Sequence, residues 1–477
     1  MLAGNLFKDC NADIKDIEIT GIAYDSRKVC EGNLFVCIKG YETDGHKFAA
    51  SAAKNGAAVI VAEDKIDVDV PVVYVESSRR AIAELAAEFY GHPSEKLSLI
   101  GITGTNGKTT ITYLVKSILE AAGKSVGVIG TNQNIIGDKL LLTKSTTPTT
   151  PNALELQQLF REMVLHGAEY VVMEVSSHAL ELDRVYGCRF SVGVFTNLTQ
   201  DHLDFHKNME NYFRAKAKLF DISERGVVNY DDEYGKRIAD GNGSILKTGM
   251  TDGCDLRAEN IRISSRGAQF DIIYKGEKYP ASIRIPGRFS VYNAICAAGA
   301  ALELGIDMEA VLKGIADAPG VVGRVEVVPT DTDYTVIIDY AHTPDGLENV
   351  INCVKGFAEG RTITLFGCGG DRDATKRPIM GEIAGRSSDL SIITSDNPRT
   401  EDPEKIVREI EAGMKKTDGE YVLITDRREA IGYALSIAKK GDVIILAGKG
   451  QETYQIIGRE KFDFDERIEV YKHLKSK

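Results

Sequence analysis

Short apolar runs separated by amphipathic stretches recur along the whole chain, the pattern of strands alternating with helices around parallel sheets. Near the beginning, Leu34–Ile38, Ala58–Ala62 and Val72–Val75 read as strands and Arg79–Tyr90 as a helix. The clearest strand–helix unit follows: a buried strand at Leu97–Thr103, a tight loop at Gly104–Gly107 and a helix at Lys108–Ala122 closed by Gly123. Further strands read at Val126–Ile129, Tyr170–Val175 and Val192–Thr196, and a helix at Ala153–His166 stops at Gly167. The last part repeats the alternation, with strands at Thr335–Asp339, Thr362–Phe366, Leu390–Thr394, Tyr421–Ile424 and Val443–Leu446. That is a doubly wound sheet of its own, and such sheets hold ligands at the carboxyl edge of their strands. Breaks at His92–Lys96 and Ala318–Arg324 divide the chain into segments 1–94, 95–324 and 325–477. The expected fold class is α/β.

Length agrees with this division, since 477 residues make about three domains at roughly 150 residues each. Lys and Arg number 58 against 70 Asp and Glu, a net charge of −12, which argues against a general nucleic-acid surface. An anionic ligand must therefore be held by local basic groups. The eight cysteines (Cys10, Cys30, Cys37, Cys188, Cys254, Cys296, Cys353 and Cys368) are scattered, without a C-x-x-C pair or a Cys/His cluster. A disulfide scaffold or zinc site is not expected, and a reducing cytosol fits. No secretory signal and no apolar run of membrane-spanning length is read, so the expectation is a cytoplasmic protein without membrane insertion. No long exposed heptad pattern appears, and monomer is the default.

Candidate chemistry begins at Gly104-Thr105-Asn106-Gly107-Lys108-Thr109-Thr110, which follows a strand and opens a helix. Such a loop turns its backbone N–H groups toward phosphate oxygens, and the helix N-terminus adds a favourable dipole. Lys108 is placed for the β- and γ-phosphates and the Thr109 hydroxyl for a magnesium ion. The G-x-x-x-x-G-K-T spacing is not met, because Ile102 stands where the first glycine would be. Glu174 and His202 follow the ends of two strands and could face this loop; an ion-pair or capping role for either stays open. On the helix around Met209–Phe220, Lys216 and Lys218 are equally plausible functional lysines from the residues alone.

The shortened loop resembles that of the Mur ligases and their folylpolyglutamate synthetase relatives. Asp25-Ser26-Arg27, Glu174-Val-Ser-Ser-His178, Thr196-Asn-Leu198, Asp201-His-Leu-Asp204, Asn293, Asp339-Tyr-Ala-His342 and Asp396-Asn-Pro-Arg399 extend the resemblance over the chain. It implies three domains: a small uridine-binding α/β domain, a central P-loop ATPase domain and a C-terminal Rossmann-like domain for the incoming amino acid. It implies ATP-dependent amide formation through an acyl phosphate, with UDP-MurNAc-L-Ala-D-Glu as acceptor. By register, Thr109, Glu174, His202 and Lys216 are implied as magnesium ligands, Lys216 after carbamylation by carbon dioxide. Asn293, Asp339 and His342 are implied on the ATP side.

For the nucleotide sugar the resemblance implies Tyr24, Ser26, Tyr41, Glu42, Thr43, Thr149, Thr150, Ser176 and Arg184. Thr149 and Thr150 read as N-terminal caps of the following helix, and Thr146-Thr147-Pro148 is a near copy that leaves the register ambiguous. Leu182 stands where some relatives carry a Gln. Lys376 and Arg377 are candidates for the acyl phosphate if the C-terminal domain closes.

Asp396-Asn397-Pro398-Arg399 closes a strand of the last sheet, and Arg372 follows another. A plain Asn-Pro turn accounts for the segment equally well by composition. Two forked cations there could bind the distal carboxylate of a diamino acid, with room at Gly448 and an acceptor at Glu452. The resemblance implies meso-diaminopimelate. L-lysine addition, another ligase of the family, and a P-loop ATPase that switches a binding surface are the alternatives.

Overall fold

The computed structural model describes every residue except 8–11, 41–42, 142, 144–146, 148, 241–242, 265–266 and 476–477. Tyr41, Glu42 and the alternative Thr146 and Pro148 therefore lie outside the described residues. By compactness the chain divides into two units. One holds Met1–Gly101, Lys124–Gly193 and Lys218–Glu224; the other holds Ile102–Gly123, Val194–Ala217 and Arg225–Lys477. The phosphate-loop helix, Lys108–Ala121, falls in the second because it packs against the helices Arg288–Glu303 and Met308–Asp317.

In the first unit, strands Gly21–Ala23, Asn33–Val36, Ala57–Ala62 and Val72–Tyr74 pair in chain order, all parallel. Helix Ser78–Tyr90 starts where the Ser77 hydroxyl accepts from the Arg80 N–H and stops at a left-handed Gly91. Its Ile82, Leu85 and Ala86 bury against Leu34, Val36 and Val59. The same unit carries Val126–Ile129 parallel to Tyr170–Glu174, so the latter strand ends at a buried carboxylate. A short hairpin, Asn134–Ile136 with Lys139–Leu140, was not legible beforehand.

In the second unit, the last sheet has the order Glu326–Val328, Thr335–Asp339, Val443–Ala447, Thr362–Phe366, Leu390–Ile393, Tyr421–Leu423. All its pairs are parallel except the first. Its four inner strands are apolar runs buried on both faces, as a doubly wound sheet requires. Before it, Leu256–Ser264, Gly267–Tyr274 and Glu277–Ile283 form an antiparallel meander, beyond the purely parallel expectation. Among the described residues no helix is long and apolar enough to cross a membrane.

Candidate active site

The phosphate loop lies wholly in the second unit. Strand Ser98–Thr103 delivers the chain to Gly104, and the helix begins at Lys108 after Gly107 adopts φ +86°. A side chain at Gly107 is excluded twice, by that left-handed backbone and by Asn293 Oδ1, 2.5 Å from where a Cβ would stand. The loop is braced from the next strand end: Thr196 Oγ1 donates to Asn106 O at 2.6 Å, and Asn106 N–H donates to Asn197 Oδ1 at 2.9 Å. Lys108 Nζ donates to the carbonyls of Gly104 (3.0 Å) and Thr105 (2.9 Å).

Beside the loop is a cavity of about 100 Å³ lined by Gly107, Thr109, Thr110, Asn293, Arg324, Asp339, Tyr340 and Asp345, among others. Arg324 stacks over Tyr340 and donates to Thr109 Oγ1 at 3.2 Å, and Asn106 Nδ2 donates to Asp345 at 2.6 Å. Asp339 lines the cavity but accepts from the Val325 and Ala341 N–H groups, both at 2.7 Å, so it also shapes the backbone turn. Burial raises its carboxyl above the ordinary range, opposed by Arg324. Arg324 and Asp345 were not singled out from the sequence: Arg324 follows a Gly-rich turn, and Asp345 opens the helix Pro344–Lys355 as an ordinary first-turn acid.

Lys216 separates from Lys218. Lys216 is 1% exposed on the helix Met209–Asp221, donates to Gly104 O at 2.7 Å and lies over the Tyr212 ring. Burial holds its amine well below the ordinary lysine range, Lys108 pushes the same way, and Asp201 opposes. Lys218, in the first unit, is 46% exposed and pairs with Glu181 at 2.7 Å.

His202 caps the short helix Leu203–His206 at φ +53°. It approaches the buried Asp201 (3.3 Å), which also faces His342 (3.9 Å) and Lys376 (3.8 Å). Burial alone would raise Asp201; the neighbouring His202, Lys376 and His342 outweigh it and hold the carboxyl below its usual range. Burial brings His342 down to about 4, with Lys376 acting the same way. Sequence reading also passed over Asp201, hidden inside a motif taken for its histidine. Arg377 is buried in a pair with Glu401 and Glu409, which accounts for its charge inside the protein rather than at a phosphate.

In the first unit, Glu174 accepts from the Thr131 N–H (2.9 Å) and the Thr131 hydroxyl (3.0 Å). Thr149 and Thr150 are not helix caps: the helix starts at Ala153 with Asn152 before it. The segment instead turns away from helical geometry, with Thr149 at φ +65°. The buried Thr150 hydroxyl donates to Glu174 O (2.9 Å) and accepts from Ser176 N–H (3.0 Å). Ser176 caps the next short helix, and Arg184 donates to Thr150 O at 3.0 Å. Tyr24, Ser26, Thr43, Asn152, Leu182 and Arg184 line a cavity of about 740 Å³. Burial and Arg79 lower Arg184, the direction produced by cations crowded without a full complement of anions.

At the carboxyl edge of the last sheet, Arg399 (φ +51°) is half-buried and donates to Gly370 O at 2.8 Å. Arg372 is exposed and donates to Asp371 O. Burial, then Arg372, lowers Arg399. Asn397 Oδ1 accepts from Lys449 Nζ (3.0 Å) and Ile456 N–H (2.9 Å), and its Nδ2 donates to Glu452 (2.8 Å). Lys449, fully buried, pairs with Glu452 at 3.4 Å and Asp396 at 3.7 Å. Gly448 is needed for contact rather than for spare room, since a Cβ would lie 2.5 Å from Asp396 Oδ2. Pro398 is buried in the same turn.

A phosphate loop with a small cavity beside it and a second charged cluster at a carboxyl sheet edge define an ATP-using α/β enzyme. Three family descriptions cover most of it: "Mur ligase family, catalytic domain" at residues 18–90, "Mur ligase middle domain" at 102–301 and "Mur ligase, glutamate ligase domain" at 323–450. The chain belongs to the Mur ligase family. UDP-N-acetylmuramoyl-L-alanyl-D-glutamate--2,6-diaminopimelate ligase 1 of Clostridium acetobutylicum is 52% identical, covering 96% of this chain and 95% of that protein. The enzyme of the same name without the numeral from Caldanaerobacter subterraneus is 49% identical over 98% of both. A solved structure of a UDP-N-acetylmuramoyl-L-alanyl-D-glutamate--2,6-diaminopimelate ligase aligns at TM-score 0.70 and 32% identity, over 100% of this chain and 99% of that one.

Proposed function

We propose that this chain is an ATP-dependent ligase that joins meso-diaminopimelate to UDP-MurNAc-L-Ala-D-Glu in the cytoplasm, acting as a monomer in peptidoglycan precursor synthesis. The relatives' shared name supports the reaction. The observation that carries the choice of amino acid is the Arg372–Arg399 pair: two neighbouring guanidiniums whose protein hydrogen bonds go to backbone carbonyls rather than to carboxylates.

In the first step a carboxylate oxygen of the D-glutamyl residue attacks the γ-phosphorus of ATP, giving an acyl phosphate and ADP. In the second, the amine attacks the acyl carbon, loses a proton and expels phosphate. The loop N–H groups and Lys108 stabilise the transferring phosphoryl charge. Asn293, Asp339 and His342 are assigned to the ATP side, and Asn106, Thr109 and Thr110 to the loop's phosphate contacts. Tyr24, Ser26, Thr43, Thr149, Thr150, Ser176 and Arg184 are assigned to the nucleotide sugar and its peptide, with Arg184 for a carboxylate.

Magnesium takes oxygen ligands, so an ammonium at Lys216 would be a misfit. The burial that disfavours that ammonium favours the neutral amine. Its nitrogen can add to carbon dioxide, releasing a proton and leaving a carbamate with oxygen donors. In that form Lys216 would offer magnesium the oxygen donors it takes, and Thr109, Glu174 and His202 are the other ligands assigned by register. When bound, the ion would neutralise phosphate charge.

The test is phosphate release with ATP, magnesium and UDP-MurNAc-L-Ala-D-Glu across an amino-acid panel. Release confined to diaminopimelate is expected. Release independent of any amino acid would make the protein an ATPase and end this reading.

A further inference from the structure

Arg372 and Arg399 stand on two different loops, after the neighbouring parallel strands Thr362–Phe366 and Leu390–Ile393. A two-armed clamp on one carboxylate works only if both loops keep a fixed separation, since sub-ångström misplacement weakens bidentate recognition. The structure shows what fixes it. Arg377, five residues after Arg372 in the first turn of the helix Lys376–Ser387, is 1% exposed and forks onto Glu401, NH1 to Oε2 at 2.9 Å and NH2 to Oε1 at 2.8 Å. The same guanidinium donates to Glu409 at 2.6 Å and to Gly369 O at 3.2 Å. Glu401 in turn accepts from the Asp371 N–H at 2.5 Å. Glu401 lies two residues beyond Arg399, and Asp371 immediately precedes Arg372.

The stitching continues around this centre. Asp371 accepts from the Thr400 hydroxyl at 2.8 Å and the Thr400 N–H at 3.2 Å, and Gly370 N–H donates to Asn397 O at 2.9 Å. The approach is so close that a Cβ at Gly370 would sit 1.9 Å from Pro398 O. Burial works against the Arg377 charge, but its pairing with the two glutamates prevails. Burying an arginine in this way is costly unless both partners are kept, so the pair enforces one geometry.

We propose that the Arg377–Glu401 pair is a positioning device for amino-acid selection: it locks the two arginine loops in register and so sets discrimination for a distal carboxylate. Neither residue touches the substrate; both act through Arg372 and Arg399. The inference rests on the diaminopimelate reading above.

Glu401→Gln keeps the shape and removes the charge, while Arg377→Lys keeps the charge and removes the fork. Each should raise KM for diaminopimelate by about tenfold or more, with KM for ATP unchanged and the preference over L-lysine narrowed. Amides of residues 369–373 and 397–400 should exchange hydrogen faster in both variants, without substrate present. If KM for diaminopimelate stays within twofold and exchange is unchanged in Glu401→Gln, the proposal is wrong. If all kinetic constants and the melting temperature fall together in both variants, the pair is merely structural and the proposal also fails. A wild-type protein that ignores diaminopimelate would sink the functional reading instead, and the exchange measurement would still judge the lock.

Discussion

Lys216 and Lys449 are both buried lysines close to a proposed reaction partner, yet their surroundings are opposite. Lys449 in the amino-acid region meets Asp396, Glu452 and Asn397, so its charge is answered inside the protein. Lys216 in the phosphate-loop region meets a carbonyl, the face of Tyr212 and the repelling cation Lys108, and Asp201 acts on it without an ion-pair contact. Burial with anions makes a lysine part of the scaffold. Burial without an anion in contact disfavours the charged form and so favours a nucleophilic nitrogen.

The contrast predicts a dissociation of stability from activity. Lys449→Met should cost about 3–5 kcal/mol of stability, because two partly buried carboxylates lose their cation. Lys216→Met should leave the denaturation midpoint nearly unchanged, since Gly104 O keeps Lys108 as donor, but it should abolish ligation. Equal destabilisation by both substitutions would erase the distinction. Lys108→Ala should lower turnover a hundredfold or more, about 3–4 kcal/mol of barrier, with a normal melt. Turnover near wild type in a folded protein would remove the phosphate-loop assignment. The smallest effect belongs to Lys218→Ala: its exposed pair with Glu181 should be worth under about 1 kcal/mol, and activity should persist. An inactive Lys218→Ala would mean that the functional lysine had been placed in the wrong register.

The repeating strand–helix pattern made the parallel sheets legible, and strand ends such as Thr103, Phe366 and Ala447 fall within a residue of where periodicity puts them. The antiparallel meander of residues 256–283 was not legible, because its half-exposed strands mix charged and apolar positions without a clean period. Motif residues of the phosphate loop could be read because their spacing is local. Asp201, Arg324, Lys449 and Glu401 could not, because each acquires its role from a partner distant in sequence: Lys376, Thr109, Asn397 and Arg377. The same limit explains Arg377, which reads as a mobile cation in sequence and is a buried post in the fold.

The central claim is that a diamino acid with a distal carboxylate is the substrate and that Arg399 recognises it. It is tested by kcat/KM for meso-diaminopimelate and for L-lysine, wild type beside Arg399→Ala. Leaving Arg399 unanswered should cost L-lysine on the order of 2–5 kcal/mol in the wild type, and Arg399→Ala should remove most of that gap by losing diaminopimelate. Equal use of the two amino acids by the wild type, or an unchanged preference in Arg399→Ala, would contradict the account.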